Sequence, residues 1–490
     1  MKVNSIFKIY LIFLVFNLSL CGYHSKEEWK SRSVYQILTD RFATDDRSIT
    51  NCTDLGNSYC GGNYKGIIEQ LDYISDMGFD AIWISPPFKN KENRYHGYHN
   101  IDLYTVNEHF GTADDLKNLV KECHKRDIWV ILDAVPNHMA DDADVSSYIP
   151  FNLPEHYHNL NDPECSQSNQ DQYHIENCDP WGLRDLKQEN DFVKNELIKW
   201  LEFSIKEYDF DGVRYADVAN VPKWFWGNFT EAAKTYTLGI VSSNDEEYIY
   251  DYQNYMDGVG EYTLYHVMKD AFCTGSMKDL DKYIRNNHTK YLFPQYNGIW
   301  FSNHDNERFL YKCTASNNKD KLLNGIIFTL FFEGIPIFYY GDEQYCELGG
   351  DGDRRREILF WRYDNTTKIY NYLKIAHNVR KEQKIYEADF MRRYADDNFY
   401  VFTRGNVLIA VGVGNTGSIK LSRHGYKSGD KLCNRFQDND CISVDDNYEL
   451  NIEMGAEPKI YVKIESSYHT ENNGAKFLSL FSLLFILLLW

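Results

Sequence analysis

Residues Tyr208–Asn220 read YDFDGVRYADVAN. The apolar and aromatic run that closes on Gly212-Val213-Arg214-Tyr215 follows a long amphipathic helical pattern, which makes it a buried strand whose last residues open onto a loop. In a barrel of alternating strands and helices, chemistry sits at such strand ends. Side chains alternate across a strand. Ala216 therefore shares a face with Arg214, while Asp217 falls on the opposite face unless a bulge re-aims it.

Working outward, strand and helix patterns alternate. VYQILTDRF, beginning at Val34, reads as a strand, Tyr64–Met77 as a helix, FDAIWISPPF from Phe79 as a strand and Thr112–Lys125 as a helix opened by the capping pattern Thr112-Ala-Asp-Asp115. DIWVILDAV, Asp127–Val135, is the third strand. A helix over Asp191–Tyr208 leads into the opening stretch, and a Trp-rich helix over Pro222–Lys234 leaves it. Strands follow near Tyr236–Val241, Tyr255–Val259, Asn297–Phe301 and Ile335–Tyr340.

This order predicts an α/β chain, a (β/α)8 TIM barrel formed by residues 23–137 and 191–385. Residues 138–190 are polar and interrupt the rhythm after the third strand, as an inserted loop domain at the catalytic face does. Beyond residue 386 the short alternating runs FYVFTR, VLIAVGVG and EPKIYVKI predict an antiparallel β-sandwich that ends near residue 465.

A formal net charge of −20 argues against nucleic acid or an anionic membrane surface as partner and leaves neutral glycans compatible. Lys2 and Lys8, the apolar run Ile9–Leu20 and the closing Cys21-Gly22 have the layout of a secretory signal peptide, residues 1–22. A polar spacer from Ser466 and the apolar tail Phe477–Trp490 have that of a glycosylphosphatidylinositol (GPI) attachment signal, with Ser466, Ser467 or Asn473 as acceptor. The expectation is an extracellular protein held at the cell surface by a lipid anchor. Sequons at Asn51, Asn228, Asn287 and Asn365 agree with secretion. Among eleven cysteines, Cys52 with Cys60, Cys165 with Cys178 and Cys433 with Cys441 are close in sequence and pair naturally. Cys123, Cys273, Cys313 and Cys346 stay unassigned.

The segments CGGNYKGIIEQLDYISDMGFDAIWISP (from Cys60), YHGYHNIDLYTVNEHFGTADDLK (from Tyr95) and YQNYMDGV (from Tyr252) resemble the alpha-amylase family of glycoside hydrolases, in particular the calcium-dependent secreted fungal type. The resemblance runs from Tyr35 to about Val462. It implies a Ca²⁺ site in the inserted domain, with Asn137 of DAVPNH, Glu176, Asp185 of GLRDL and the carbonyl of Asn220 as ligands; oxygen donors of this kind suit a hard cation. It also implies that His96, Tyr98, His138, Arg214, His304 and Arg356 grip the sugar beside the cleaved bond. His99 stands where these enzymes have a Trp, Ala219 where they have a Lys and Gly352 where they have an Asp.

The same resemblance assigns the nucleophile to the position of Ala216 and the general acid to that of Ile240, and neither residue can do the work. Retaining glycosidases need two carboxyl groups about 5–5.5 Å apart. Only the third carboxylate, Asp305 of FSNHDNER, is retained. The expectation is a surface pseudoenzyme that binds α-1,4-glucans or related glycans. The alternatives are an active alpha-amylase with Asp217 as displaced nucleophile and Glu246 or Glu247 as acid, and a scaffold for protein partners.

Overall fold

The computed structural model describes residues 24–464 except 53, 54, 57, 159–164, 166–170, 179, 244, 351 and 352. The expected signal peptide, the anchor signal and Gly352 lie outside the described residues. Eight parallel strands, Val34–Gln36 (β1), Ala81–Trp83 (β2), Trp129–Ala134 (β3), Gly212–Tyr215 (β4), Tyr236–Gly239 (β5), Gly258–Val259 (β6), Gly298–Trp300 (β7) and Ile335–Tyr339 (β8), form one sheet. Their order is β6-β5-β4-β3-β2-β1-β8-β7. A parallel bridge between Gly260 and Gly298 joins the two edges and closes the barrel.

Alternation decides what each strand contributes. On β5, Tyr236, Leu238 and the following Ile240 point into the lumen, where they pack with Trp83, Ile131, Trp300 and Ile337. On β4, Val213 and Tyr215 join the outer core between barrel and helices. Gly212 lies on the inner face, where a Cβ would stand 2.7 Å from the Trp29 ring. That indole plugs the N-terminal end of the barrel, and its Nε1 donates to the Asp211 carbonyl at 3.0 Å.

The Asp191–Tyr208 helix forms over the expected span. Thr112 caps Ala113–His124 with the reciprocal Asp115 contact its sequence predicts. Three readings are corrected. The first strand is only Val34–Gln36, and Thr39–Phe42 turn into a short helix whose buried Asp40 and Arg41 pair at 2.8 Å. The helix read as continuous from Tyr64 to Met77 breaks at Gln70, where ψ is 6°. The sixth strand begins at Gly258, since the 3-10 turn Tyr252–Asn254 runs on into Tyr255, whose ψ of −15° is not extended.

The insertion leaves β3 through His138–Met139 and returns beside it through Arg184–Asp185, with His138 opposite Asp185. In the C-terminal region Phe390–Ala395 (β9), Phe399–Arg404 (β10), Val407–Gly412 (β11), Gly417–Leu421 (β12), Lys431–Asn434 (β13), Cys441–Ser443 (β14), Leu450–Met454 (β15) and Lys459–Lys463 (β16) are antiparallel. A six-stranded sheet, β9-β10-β11-β16-β13-β14, and the pair β12-β15 share an apolar core of Val401, Leu408, Ile419, Ile452 and Tyr461. The three sequence-local disulfides form, and Cys273 pairs with Cys313. Cys123 and Cys346 are buried thiols.

Candidate active site

A cavity of about 480 Å³ opens at the C-terminal ends of the barrel strands. His96, Tyr98, His138, Arg214, His304, Asp305 and Arg356, scattered over the sequence, all line it. Its frame is a hydrogen-bonded floor. Arg214 Nη1 donates to Asp133 Oδ1 at 2.8 Å, and Trp83 Nε1 and the Tyr98 hydroxyl donate to Asp133 Oδ2 at 3.0 and 2.6 Å. The register that sets Arg214 beside Asp133 makes this possible. Tyr98 OH also faces His304 Nε2 at 3.0 Å, and His138 Nε2 donates to the Tyr98 carbonyl at 3.0 Å.

Asp305 lines the cleft with 44% of its side chain exposed. Its Oδ1 is 3.4 Å from His304 Nε2 and 3.5 Å from Arg356 Nη2. Burial pushes this carboxyl up, but the charges of His304, Arg356 and Arg214 outweigh burial and hold it below the usual carboxylate range. Burial, reinforced by the Arg356 and Arg214 charges against Asp305, pushes His304 down to about 3, and burial likewise lowers His96 and takes His99 to about 4. These three rings are neutral near pH 7 and serve as hydrogen-bonding surfaces. Arg355 and Arg356 each donate Nε to the His304 carbonyl, at 3.1 and 2.8 Å, and tie the loops after β7 and β8 together.

Ala216 lines the cavity on the inner face of β4. Ile240 is 5% exposed and belongs to the lumen core, beside Trp300 and over Gly260. Glu246 and Glu247 begin the helix Glu246–Asp251, and Glu246 is bonded to Tyr250 and Asn287 at 3.0 and 3.1 Å. Neither is among the residues lining the cleft.

Asp217 departs from strand alternation. Ala216 N donates to Ala134 O at 2.9 Å and Val218 N to Ile240 O at 3.2 Å, and between them Asp217 takes φ 50° and ψ 41°. This left-handed turn aims the carboxylate into the cleft, with Oδ2 3.7 Å from His138 Nδ1. Burial raises the Asp217 carboxyl above its ordinary value, against the His138 and Arg214 charges.

Trp181, Leu183, Ser242, Tyr262 and Arg355 also line the cavity and were not singled out by the sequence. Trp181 is 78% exposed and has φ 55°. A Trp in the segment PWGL carries no signal that separates an exposed ring from a buried one.

Below the cleft, Asn137, Asp185 and the Asn220 carbonyl converge. With Asn137 Nδ2 3.3 Å from His138 Nδ1, the Asn137 amide oxygen faces Asn220 O and Asp185 Oδ1. Rotating the amide lets its nitrogen donate to them at 2.8 and 3.1 Å. A hard cation among the three oxygens satisfies the unrotated arrangement equally, so the donor set fits Ca²⁺. Glu176 accepts from Gln172 on the helix Gln172–Asn177, and Asn220 Nδ2 ties that helix down through Ile175 O at 3.1 Å. The other Asp185 oxygen holds His158 Nδ1 at 2.6 Å.

Residues 36–348 match the alpha-amylase catalytic domain family. The chain is 33% identical over 466 residues to an alpha-amylase of Saccharomycopsis fibuligera, covering 89% of this chain and 92% of the relative. It superposes on an alpha-amylase structure from Malbranchea cinnamomea with a TM-score of 0.83 at 32% identity, covering 90% and 97% of the two chains. A Geobacillus thermoleovorans alpha-amylase complexed with acarbose aligns with a TM-score of 0.80 at 33% identity, over 90% and 99%.

Proposed function

The chain belongs to the alpha-amylase family of glycoside hydrolases, and from that premise we infer that it binds α-1,4-glucans or related glycans at the cell surface without cleaving them by the family's two-carboxylate route. The observation that carries this reading is a contrast at one end of the barrel: the sugar-gripping set His96, Tyr98, His138, Arg214, His304, Asp305 and Arg356 lines the cavity, while Ala216 on its wall and Ile240 in the lumen core offer no carboxyl group. Losing a general acid costs about 10²–10⁴ in rate, and an absent nucleophile removes the covalent route from that position.

In this reading Arg214, Arg356 and Asp305 bond the hydroxyls of one ring, and Trp181 offers an exposed face on which a neighbouring ring stacks. Asn137, Asp185 and the Asn220 carbonyl, with Glu176, would hold Ca²⁺, which when bound supplies fixed charge that locks the insertion against the barrel. The cell-surface setting rests on the two terminal sequence signals.

The test is calorimetric titration of the secreted chain, residues 23–465, with maltoheptaose, alongside a reducing-end assay. Saturable binding without new reducing ends is the expected result. No binding favours a protein-interaction scaffold, and reducing ends released at an amylase-like rate would sink the pseudoenzyme reading.

A further inference from the structure

We propose that Asp217 is a working nucleophile: its carboxylate attacks the anomeric carbon of an α-glucosyl donor whose leaving group departs without needing a proton. The proposal rests on the glucan-binding reading above and extends it to an activity.

Four observations converge on Asp217. The first is the turn itself, since a left-handed backbone at a residue other than glycine is uncommon and persists where the surroundings impose it. Here they do: Asn220 N donates to Asp217 O at 2.9 Å, and Trp226 Nε1 to Val218 O at 3.2 Å. Second, Asp217 precedes the 3-10 turn Val218–Asn220, yet its side chain makes no capping hydrogen bond, so the ordinary reason for an Asp at this position is missing. Third, the carboxylate turns into the cavity that Arg214 and Asp305 line, 21% exposed and 3.7 Å from His138 Nδ1. Fourth, the neighbouring inward residue is Ala216, whose single methyl leaves open the space a longer side chain on that face would fill.

Ile240 fixes the class of donor. With a buried aliphatic chain at the acid position, an alkoxide leaving group has no proton source there, whereas fluoride or another stable anion needs none. In the first step Asp217 Oδ forms a bond to C1 as the bond from C1 to the leaving group breaks, and the electron pair departs on the anion. In the second, water adds to C1, the ester C1–O bond breaks, the carboxylate recovers its electron pair and the water proton passes to solvent. Two displacements return the α-anomer.

The experiment uses the secreted chain with α-maltosyl fluoride and with its 5-fluoro analogue, which slows the second step. The expected results are fluoride release, α-maltose as the first product by NMR, and one 5-fluoromaltosyl group mapped to Asp217 by peptide mass spectrometry. The adduct and fluoride release should fall at least tenfold in Asp217→Asn. An Ala216→Asp variant serves as positive control for the probe. Absence of label in a wild-type chain that binds maltoheptaose, label on Asp305, or β-maltose as first product each overturns the proposal. Loss of maltoheptaose binding altogether instead overturns the glucan reading beneath it, and the proposal falls with it.

Discussion

The Asp217 carboxylate lies 3.7 Å from the His138 ring although strand alternation turns residue 217 away from the cleft. Two strand-type backbone bonds, at Ala216 and Val218, bracket one left-handed residue, so a single pair of dihedral angles moves a carboxyl group from the barrel exterior to the site. Among the described residues lining the cleft, two are carboxylates, Asp217 and Asp305, with burial raising the first and neighbouring positive charge lowering the second.

The buried Arg214 and Asp133 pair should be costly to break. Arg214→Met leaves a carboxylate that is 1% exposed without its cation, and a loss of about 3–5 kcal/mol is expected in urea unfolding. The double variant with Asp133→Asn should recover part of that loss, which a double-mutant cycle measures.

Trp181→Ala should weaken maltoheptaose binding about three- to tenfold, the loss of one stacking contact of about 0.5–1.5 kcal/mol. Because the ring is exposed, the melting temperature should stay within the error of the wild-type value. Unchanged affinity in calorimetry would remove Trp181 from the binding surface.

His288 is buried between Glu261 at 2.9 Å and Glu333 at 3.2 Å. Burial lowers its pKa, but the two carboxylates outweigh burial and raise it to about 9. Its folded value is above the unfolded one, so the stabilisation is complete below pH about 6.5 and is lost as pH rises through about 9, a change on the order of 3 kcal/mol. Unfolding free energies of wild type and His288→Gln should converge across that window. A constant gap would rule out an ionised His288.

Chelation should lower the melting temperature of the wild-type chain, and added Ca²⁺ should restore it. Asp185→Asn, which removes the carboxylate facing Asn137, should abolish this calcium response. Equal melting curves with and without chelator in the wild type would remove the ion from the account.

Replacing Ala216 by Asp and Ile240 by Glu tests the cleft from the other side. Ala216→Asp faces the cavity and should fold normally. Ile240→Glu puts a carboxyl beside Trp300 in the lumen core and should cost about 1–3 kcal/mol. If both are present and the chain is folded by circular dichroism, starch hydrolysis above the wild-type level is expected.

The sequence by itself determined the succession of strands and helices, because periodicities of two and 3.6 are properties of the backbone. It also determined that Ala216 and Ile240 carry no carboxylate, since no fold changes what a side chain is made of. The sequence-local cysteine pairs were legible for the same reason of proximity, whereas Cys273 and Cys313, 40 residues apart, required the barrel to bring them together. Only the tertiary structure decided that Trp181 stands in solvent and that Asp217 faces the cleft. Each depends on dihedral angles and registers fixed by hydrogen bonds to distant strands, and alternation along a single strand carries no record of them.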